Sequence, residues 1–434
     1  MLKKFLIATL ILSGLLTFTT ENVFAEKFVM QNVIGVAKIY GDGEKISAAI
    51  IEYPKILNAK NISAADFEVE GKEIESIFVN DKPELTTKNK PGKFLILNFA
   101  YKNTSYDGNL SNKPNAPRRQ EKNSAKGDAP RISNRKLPDL SLHVKQIKSI
   151  KSADGKEIFA SEKDSTKTLE PEINSFKQFI YKDPTTGNEI PYNLFLPENY
   201  DASKKYPLVF FVADASANIN EVTTPIFQGN GATVWADKDF QKKNPCIILA
   251  PQYTADLVEK LGMLTTDENI WTDGLTLVSN LLFDVIKNYS VDENRIYGTG
   301  QSQGGMTNIA ISDKYPELFA GQILVACQWN VEEMAILKNK NLWIVVCEGD
   351  TKAFPEMNKA VSLWENLGAK VARNSDFWNS KAPVSEINKN IKSLEKQNAN
   401  INYTVFAGGN HMYTWSFAYN IDALQDWLFK QKKF

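Results

Sequence analysis

The feature that most constrains the fold is a strand, a sharp turn and a helix within residues 295–306. Residues 295–299 predict a short β-strand, and the sequence from Gly304 to about Lys314 predicts a helix. The turn between them has the pattern Gly-x-Ser-x-Gly, with Ser302 at its centre. Such an elbow exposes a serine beside the free N–H groups of a helix start. We therefore predict that Ser302 is a nucleophile rather than part of an ordinary glycine-rich turn.

The region around this motif predicts a mainly parallel sheet. Continuous apolar runs alternate with helical patterns, and a predicted hairpin (176–181 and 192–196) precedes them. Strands that are apolar at every position are typical of sheets buried on both faces. We expect an α/β domain over 172–434, with helices on both faces of the sheet and a closing amphipathic helix. The apolar runs are 208–212, 246–250, 323–327, 342–347 and 403–406, and the closing helix is 415–429.

A serine nucleophile needs a base, and the sequence contains only two histidines. His143 lies between polar residues in the first part of the chain, where we expect a solvated bystander. His411 follows the last predicted strand, on a loop at the strand ends where catalytic groups collect in such sheets. We predict that His411 is the base that activates Ser302.

The third residue should be a carboxylate that orients the imidazole. After an elbow of this type, the acidic residue and then the histidine follow the serine along the chain. Asp350 follows the predicted strand 342–347 and is our first choice. Glu348 competes with it because it is closer to the strand. Asp376 is farther from any predicted strand end.

An oxyanion formed at this serine needs two N–H donors. We expect one from Gln303, which follows the nucleophile, and one from the loop after strand 208–212. Ala215 is the first choice in that loop, and Ser216 is the next. Asp214 is expected to be a structural turn residue, because a carboxylate facing an oxyanion would oppose catalysis.

Three tryptophans lie near loops that should border the site. Trp271, Trp378 and Trp415 are candidates for an aromatic substrate pocket, and core packing is the alternative for each. The polar segment 374–398 is a candidate lid, with an ordinary surface helix as the alternative.

The N-terminal segment 1–25 predicts a signal peptide. It has lysines at its start, an apolar run over 5–18 and small residues ending at Ala25. An uncleaved anchor is the alternative, but the run is short for a membrane span. We expect a secreted or extracytoplasmic protein with no membrane span after cleavage.

Residues 26–151 alternate apolar and polar positions in short segments separated by turn signals, which predicts a β-sandwich. Within it, 103–137 is rich in Asn, Ser, Lys and Pro and predicts a mobile polar loop. The charged stretch 152–171 is expected to be a linker between two domains.

Composition narrows the function. The 51 basic and 51 acidic residues balance, so no basic surface suggests nucleic acid as a partner. The three cysteines, Cys246, Cys327 and Cys347, all lie in apolar runs and are expected to be core residues, with a disulfide as the alternative. The sequence implies no metal or organic cofactor.

Several of these segments resemble a known group. The chain resembles the α/β-hydrolase superfamily, specifically secreted esterases related to polyhydroxybutyrate depolymerases and feruloyl esterases. The segments that carry the resemblance are 291–306, Glu348-Gly-Asp350 and His411-Met-Tyr-Thr-Trp415. The β region resembles the immunoglobulin-like N-terminal domain that some of these esterases carry. The resemblance implies the triad roles for Ser302, Asp350 and His411. Ala213-Asp214 departs from the His-Gly usual in the oxyanion loop.

The sequence thus predicts a secreted serine carboxylesterase that acts through a Ser-His-Asp triad and an acyl-enzyme. The expected partner is a small-molecule or oligomeric ester, with polymer or carbohydrate contact through the β domain. The alternatives are a peptidase or acyltransferase on the same triad, or a polymer-binding protein on an inactive hydrolase scaffold.

Overall fold

A computed structural model describes residues 27–105, 133 and 135–433. The predicted signal peptide at 1–25, and most of the predicted loop at 103–137, lie outside the described residues. Within the described part of the chain, no helix combines the length and the apolar character that crossing a membrane requires.

The first part of the chain is almost entirely β-structure. Its strands are Asn32–Tyr40 (β1), Gly43–Leu57 (β2), Phe67–Val69 (β3), Ile74–Asn80 (β4), Gly92–Phe99 (β5), His143–Gln146 (β6), Ile150–Lys151 (β7), Glu157–Ile158 (β8), Ser161–Asp164 (β9) and Lys167–Leu169 (β10). A short helix, Pro171–Asn174 (α1), follows them.

These strands form a five-stranded sheet in the order β10-β1-β2-β5-β4, a three-stranded sheet β3-β6-β9 and the pair β7-β8. The two larger sheets share one apolar core. Val33 and Ile51 reach it from the five-stranded sheet, and Val144 reaches it from the three-stranded sheet. This packing is possible because apolar residues recur at alternate strand positions and so lie on one face.

The predicted linker at 152–171 is wrong. Strands β8, β9 and β10 lie within it, and β10 pairs with β1 while β9 pairs with β6. The charged composition misled the prediction because β9 is a sheet-edge strand without a fully buried residue. Charged side chains on such an edge face solvent and discourage pairing with other chains.

The second part of the chain alternates strands and helices. Its strands are Lys177–Lys182 (β11), Glu189–Phe195 (β12), Tyr206–Val212 (β13), Ile247–Pro251 (β14), Val291–Gln301 (β15), Gly321–Val325 (β16), Leu342–Cys347 (β17), Val371–Arg373 (β18) and Ile401–Phe406 (β19). Its helices are Thr224–Phe227 (α2), Lys238–Lys243 (α3), Ala255–Leu261 (α4), Asp273–Asn288 (α5), Gln303–Lys314 (α6), Ala353–Asn366 (α7), Val384–Glu395 (α8), His411–Ala418 (α9) and Asp422–Leu428 (α10).

These strands make one sheet in the order β11-β12-β14-β13-β15-β16-β17-β19-β18. The pairs from β14 to β18 are parallel, and β11 and β12 are antiparallel to their neighbours. Both faces of the sheet are buried, as β13 illustrates. Phe210 packs into the core on one face, and its neighbour Phe211 packs into the core on the other. The expected sheet with helices on both faces is therefore confirmed.

The closing helix differs from the sequence-based expectation. The closing helix predicted over 415–429 is two helices, α9 and α10, separated at 419–421. At the break, the Tyr419 carbonyl accepts a hydrogen bond from the Gln425 side chain instead of continuing the helix.

The lid candidate at 374–398 contains α8, whose Ile387, Ile391 and Leu394 are buried in the core. This part of the segment therefore matches the alternative expectation, an ordinary surface helix, and not a lid. The three cysteines are free and buried, as core residues should be.

Candidate active site

Ser302 lies in a strained turn between β15 and α6. Its backbone angles are φ 51° and ψ −121°, a conformation that residues other than glycine rarely adopt. Its N–H donates to the carbonyl of Val325 at 3.0 Å, which ties the turn to β16. The side chain is only partly buried at the carboxyl edge of the sheet.

The elbow also depends on a close backbone approach at Gly304. A Cβ atom built on Gly304 would lie 1.8 Å from the carbonyl oxygen of Val212, at the end of β13. No side chain fits in that space, so this position requires glycine. The absence of a side chain brings the start of α6 against the end of β13 and the loop that follows it.

His411 and Asp350 complete a hydrogen-bonded chain with this serine. The Oγ of Ser302 lies 2.8 Å from Nε2 of His411, and Nδ1 of His411 lies 2.7 Å from Oδ2 of Asp350. His411 is the first residue of α9, where the side chain of Asn410 accepts a hydrogen bond from the Tyr413 N–H. The cap satisfies the Tyr413 N–H at the start of the helix.

Asp350 is held ionised despite its burial. Its side chain is fully inaccessible to solvent, and Oδ1 accepts hydrogen bonds from the N–H groups of Lys352 and Ala353 at 3.0 Å each. Burial opposes the charge, but the hydrogen bond and the charge of His411 and these two N–H donors outweigh it. The pKa of Asp350 therefore lies below its usual value.

The other acidic and basic candidates do not join this chain. Glu348 is exposed, and its Oε2 accepts a hydrogen bond from the Gly408 N–H, which links two loops beside the site. Asp376 is exposed and contacts Ser375. His143 lies exposed on β6 beside Asp164, in the first part of the chain.

The two expected oxyanion donors, the N–H groups of Gln303 and Ala215, lie in different local structures. Gln303 is the first residue of α6, so its N–H has no carbonyl partner within the helix. After β13, Asp214 starts a single turn, Ala215–Ala217, and its Oδ1 accepts the Ser216 N–H at 2.7 Å. Ser216 N–H is therefore engaged, whereas no hydrogen bond among the described residues uses the Ala215 N–H. Asp214 is a turn residue, as its sequence position suggested.

Side-chain amides that the sequence analysis did not identify form hydrogen bonds around both expected donors. The amide groups of Asn218 and Gln303 pair with each other at 3.2 and 3.4 Å. The side chain of Gln252 donates to the carbonyl of Ala217 at 2.8 Å, and that of Gln301 donates to Asp214 at 3.5 Å. These amides belong to different strands and loops, so no local sequence pattern could have grouped them.

The three tryptophans divide between the site and the core. The ring of Trp415 meets the imidazole of His411 edge-on, with 5.4 Å between centroids. Trp378 packs against Phe406 at the end of β19. Trp271 is not brought to the site, because it packs on Tyr315, beyond the far end of α6 from Ser302. Trp271 is partly buried and packs against the core of this domain.

Comparison with known proteins agrees with this architecture. The family model of the esterase Ig-like N-terminal domain matches residues 32–158. The crystal structure of a thermostable esterase matches with a TM-score of 0.72 at 24% identity, over 93% of this chain and 100% of that chain. The chain thus has an immunoglobulin-like N-terminal domain, of a kind described from esterases, ahead of an α/β-hydrolase fold. No curated protein sequence matches the chain.

Feruloyl esterases match much less closely. The feruloyl esterase module from Clostridium thermocellum, solved with sinapinate, has a TM-score of 0.39 at 14% identity, over 58% of this chain and 88% of that chain. A ferulic acid esterase from Anaeromyces mucronatus, solved without substrate, has a TM-score of 0.36 at 15% identity, over 57% of this chain and 88% of that chain. These scores are too low to establish a shared fold.

Proposed function

We propose that this protein is an exported serine carboxylesterase. The observation that carries the proposal is the hydrogen-bonded chain from Asp350 through His411 to Ser302, which begins at a strained elbow. A nucleophile, a base within hydrogen-bond reach and a group that orients the base are the minimum for acyl transfer by a serine.

Acylation follows from this geometry. Nε2 of His411 takes the proton as Oγ of Ser302 attacks the ester carbonyl carbon, and Asp350 stabilises the imidazolium that forms. The carbonyl oxygen becomes an oxyanion, which the N–H groups of Gln303 and Ala215 stabilise. Collapse of the tetrahedral intermediate breaks the bond to the alcohol, which leaves with the proton from His411.

Deacylation reverses the roles with water as the nucleophile. His411 takes a proton from water, the hydroxide attacks the acyl carbon, and a second oxyanion forms in the same place. The acid is released, and Ser302 recovers its proton from His411. All proton transfers are carried by one imidazole, so its orientation by Asp350 matters in both halves of the reaction.

The proposal favours an ester over an amide bond because the matching domain model was described from esterases, and the thermostable esterase shares the two-domain fold. A peptidase or an acyltransferase would use the same three residues. Rates on matched ester and amide substrates, with and without an added alcohol acceptor, distinguish these reactions.

Two further parts of the proposal rest on sequence alone. Export is inferred from the charged start, the apolar run and the small residues within 1–25. Polymer or carbohydrate contact through the β domain stays a prediction, and pull-down of the purified protein with insoluble polymers would test it.

The test of the proposed function is the variant Ser302→Ala. We expect kcat on a soluble aryl ester to fall by a factor on the order of 10⁴ or more, because the acyl-enzyme forms on the Oγ of Ser302. The melting temperature should stay near that of the wild type. Retention of wild-type turnover by a folded Ser302→Ala protein would refute the proposal.

A further inference from the structure

The turn that follows β13 is held partly by the other domain. Among the described residues, the Ser216 carbonyl accepts hydrogen bonds from the Ser133 hydroxyl at 2.7 Å and from Nε of Arg135 at 3.3 Å. The Ser216 hydroxyl accepts a hydrogen bond from Nη2 of Arg135 at 2.8 Å. Ser133 and Arg135 precede β6, so they belong to the immunoglobulin-like domain.

Contacts within the hydrolase domain hold other atoms of this turn. Asp214 binds the Ser216 N–H, and Gln252 binds the carbonyl of Ala217. The contacts from the immunoglobulin-like domain act on the Ser216 carbonyl and hydroxyl, one residue after Ala215. Groups from both domains therefore hold the turn that begins at Ala215.

Arginine suits this role better than lysine. Its planar guanidinium presents donors at fixed angles, and here Nε and Nη2 reach two different acceptors of one residue. The Ser133 hydroxyl also accepts the Arg135 N–H at 3.1 Å, which ties the two donors to each other. Arg135 is partly buried, so water competes less for these bonds than at an exposed site.

We propose that Arg135 is a positioning residue for the reaction and that the immunoglobulin-like domain contributes it to complete the oxyanion site. This inference rests on the proposed function. Arg135 holds Ser216, and through it the turn 215–217, so that the Ala215 N–H faces the developing oxyanion. It acts on transition-state charge and not on substrate binding, because the hydrogen bonds described for its side chain end on Ser216.

The test compares full-length Arg135→Ala and Arg135→Lys with the wild type. We expect Arg135→Ala to lower kcat on a neutral aryl ester by about 10- to 100-fold, somewhat less than the loss of an oxyanion donor itself. KM should change by less than about twofold, because ground-state contacts are kept. Arg135→Lys should recover only part of the rate, because an ammonium group cannot present two donors at fixed angles to the Ser216 carbonyl and hydroxyl.

A transition-state analogue separates positioning from general destabilisation. Oγ of Ser302 adds to the carbonyl carbon of an aryl trifluoromethyl ketone, His411 takes the proton, and the oxygen becomes an oxyanion. Affinity for this ketone should fall in Arg135→Ala by the same factor as kcat. The matched control is Arg373→Ala, which removes an arginine that pairs with Glu365 on the surface and should leave both values unchanged.

A second variant keeps the test decisive if Arg135→Ala folds poorly. Ser216→Ala removes the hydroxyl that accepts Nη2, and it should lower kcat less than Arg135→Ala does. Where Arg135→Ala does fold, the two substitutions combined should be less than additive, because they break one shared contact.

The outcomes separate the two proposals. An inactive wild-type protein would overturn the carboxylesterase. An active wild type with unchanged kcat in Arg135→Ala, or with a change in KM alone, would overturn the positioning role and leave the esterase intact.

Discussion

At the scale of single residues, Asp350 shows how the site stabilises a buried charge. Each carboxylate oxygen has its own partners. Oδ2 faces His411 and Oδ1 faces the N–H groups at the start of α7. Hydrogen bonds to the ionised form keep the pKa of Asp350 low against the effect of burial. The same bonds also fix the imidazole in the tautomer that leaves Nε2 free to accept a proton.

This low pKa predicts a specific pH dependence of stability. A carboxylate whose pKa is lower in the folded than in the unfolded state stabilises the fold above the unfolded value of about 3.9 and loses that contribution as the pH falls through the folded value. The free energy of unfolding of the wild type should therefore decrease relative to Asp350→Asn as the pH is lowered below about 4. Urea unfolding of both proteins across this range measures the difference. Parallel curves would show that the carboxylate is not stabilised by the fold.

At the scale of secondary-structure elements, the site depends on how the start of α6 meets the end of β13. Position 304 is where these two elements touch, and it has no room for a side chain. Gly304 therefore serves both the sharp turn and the close approach of the two backbone segments. The contact brings the start of α6, where Gln303 lies, against the end of β13, which the turn 215–217 follows.

We predict that Gly304→Ala destabilises the fold by about 2 kcal/mol or more and lowers kcat at least about 100-fold, because the added methyl must push α6 away from β13. Gly187→Ala is the matched control. Gly187 has a φ of +69° in the β11–β12 turn, but no atom lies within 4 Å of an added Cβ. That control should cost about 1 kcal/mol through backbone strain and leave kcat unchanged. Equal losses of kcat in the two variants would contradict the packing explanation.

At the scale of the whole molecule, sequence patterns predicted the fold of each domain better than the contacts between the two domains. The continuous apolar strands identified the sheet, because burial on two faces leaves a clear apolar signal. The elbow, His411 and Asp350 could be predicted because this architecture fixes their order and their positions at strand ends. Strands β8 to β10 were missed because short polar edge strands have no such signal.

Contacts between distant segments could not be predicted from sequence. Ser133 and Arg135 reach Ser216, while the Asn103 side chain donates to the Ser416 hydroxyl on α9, the helix that carries His411. The first domain thus contacts two of the segments that carry the site. The separations along the chain are 81 residues for Arg135 and Ser216, 83 for Ser133 and Ser216, and 313 for Asn103 and Ser416. Nothing in the local sequences marks these partners.

The most direct measurement of the central claim is labelling with a fluorophosphonate, followed by mass spectrometry of the modified peptide. An activated serine attacks the phosphorus and releases fluoride, whereas an ordinary surface serine does not react. We expect one adduct on Ser302 of the folded wild type, a labelling rate at least about 10³-fold lower in His411→Ala, and no adduct on heat-denatured protein. No adduct on the folded wild type, or equal labelling of His411→Ala, would contradict the claim that Ser302 is an activated nucleophile.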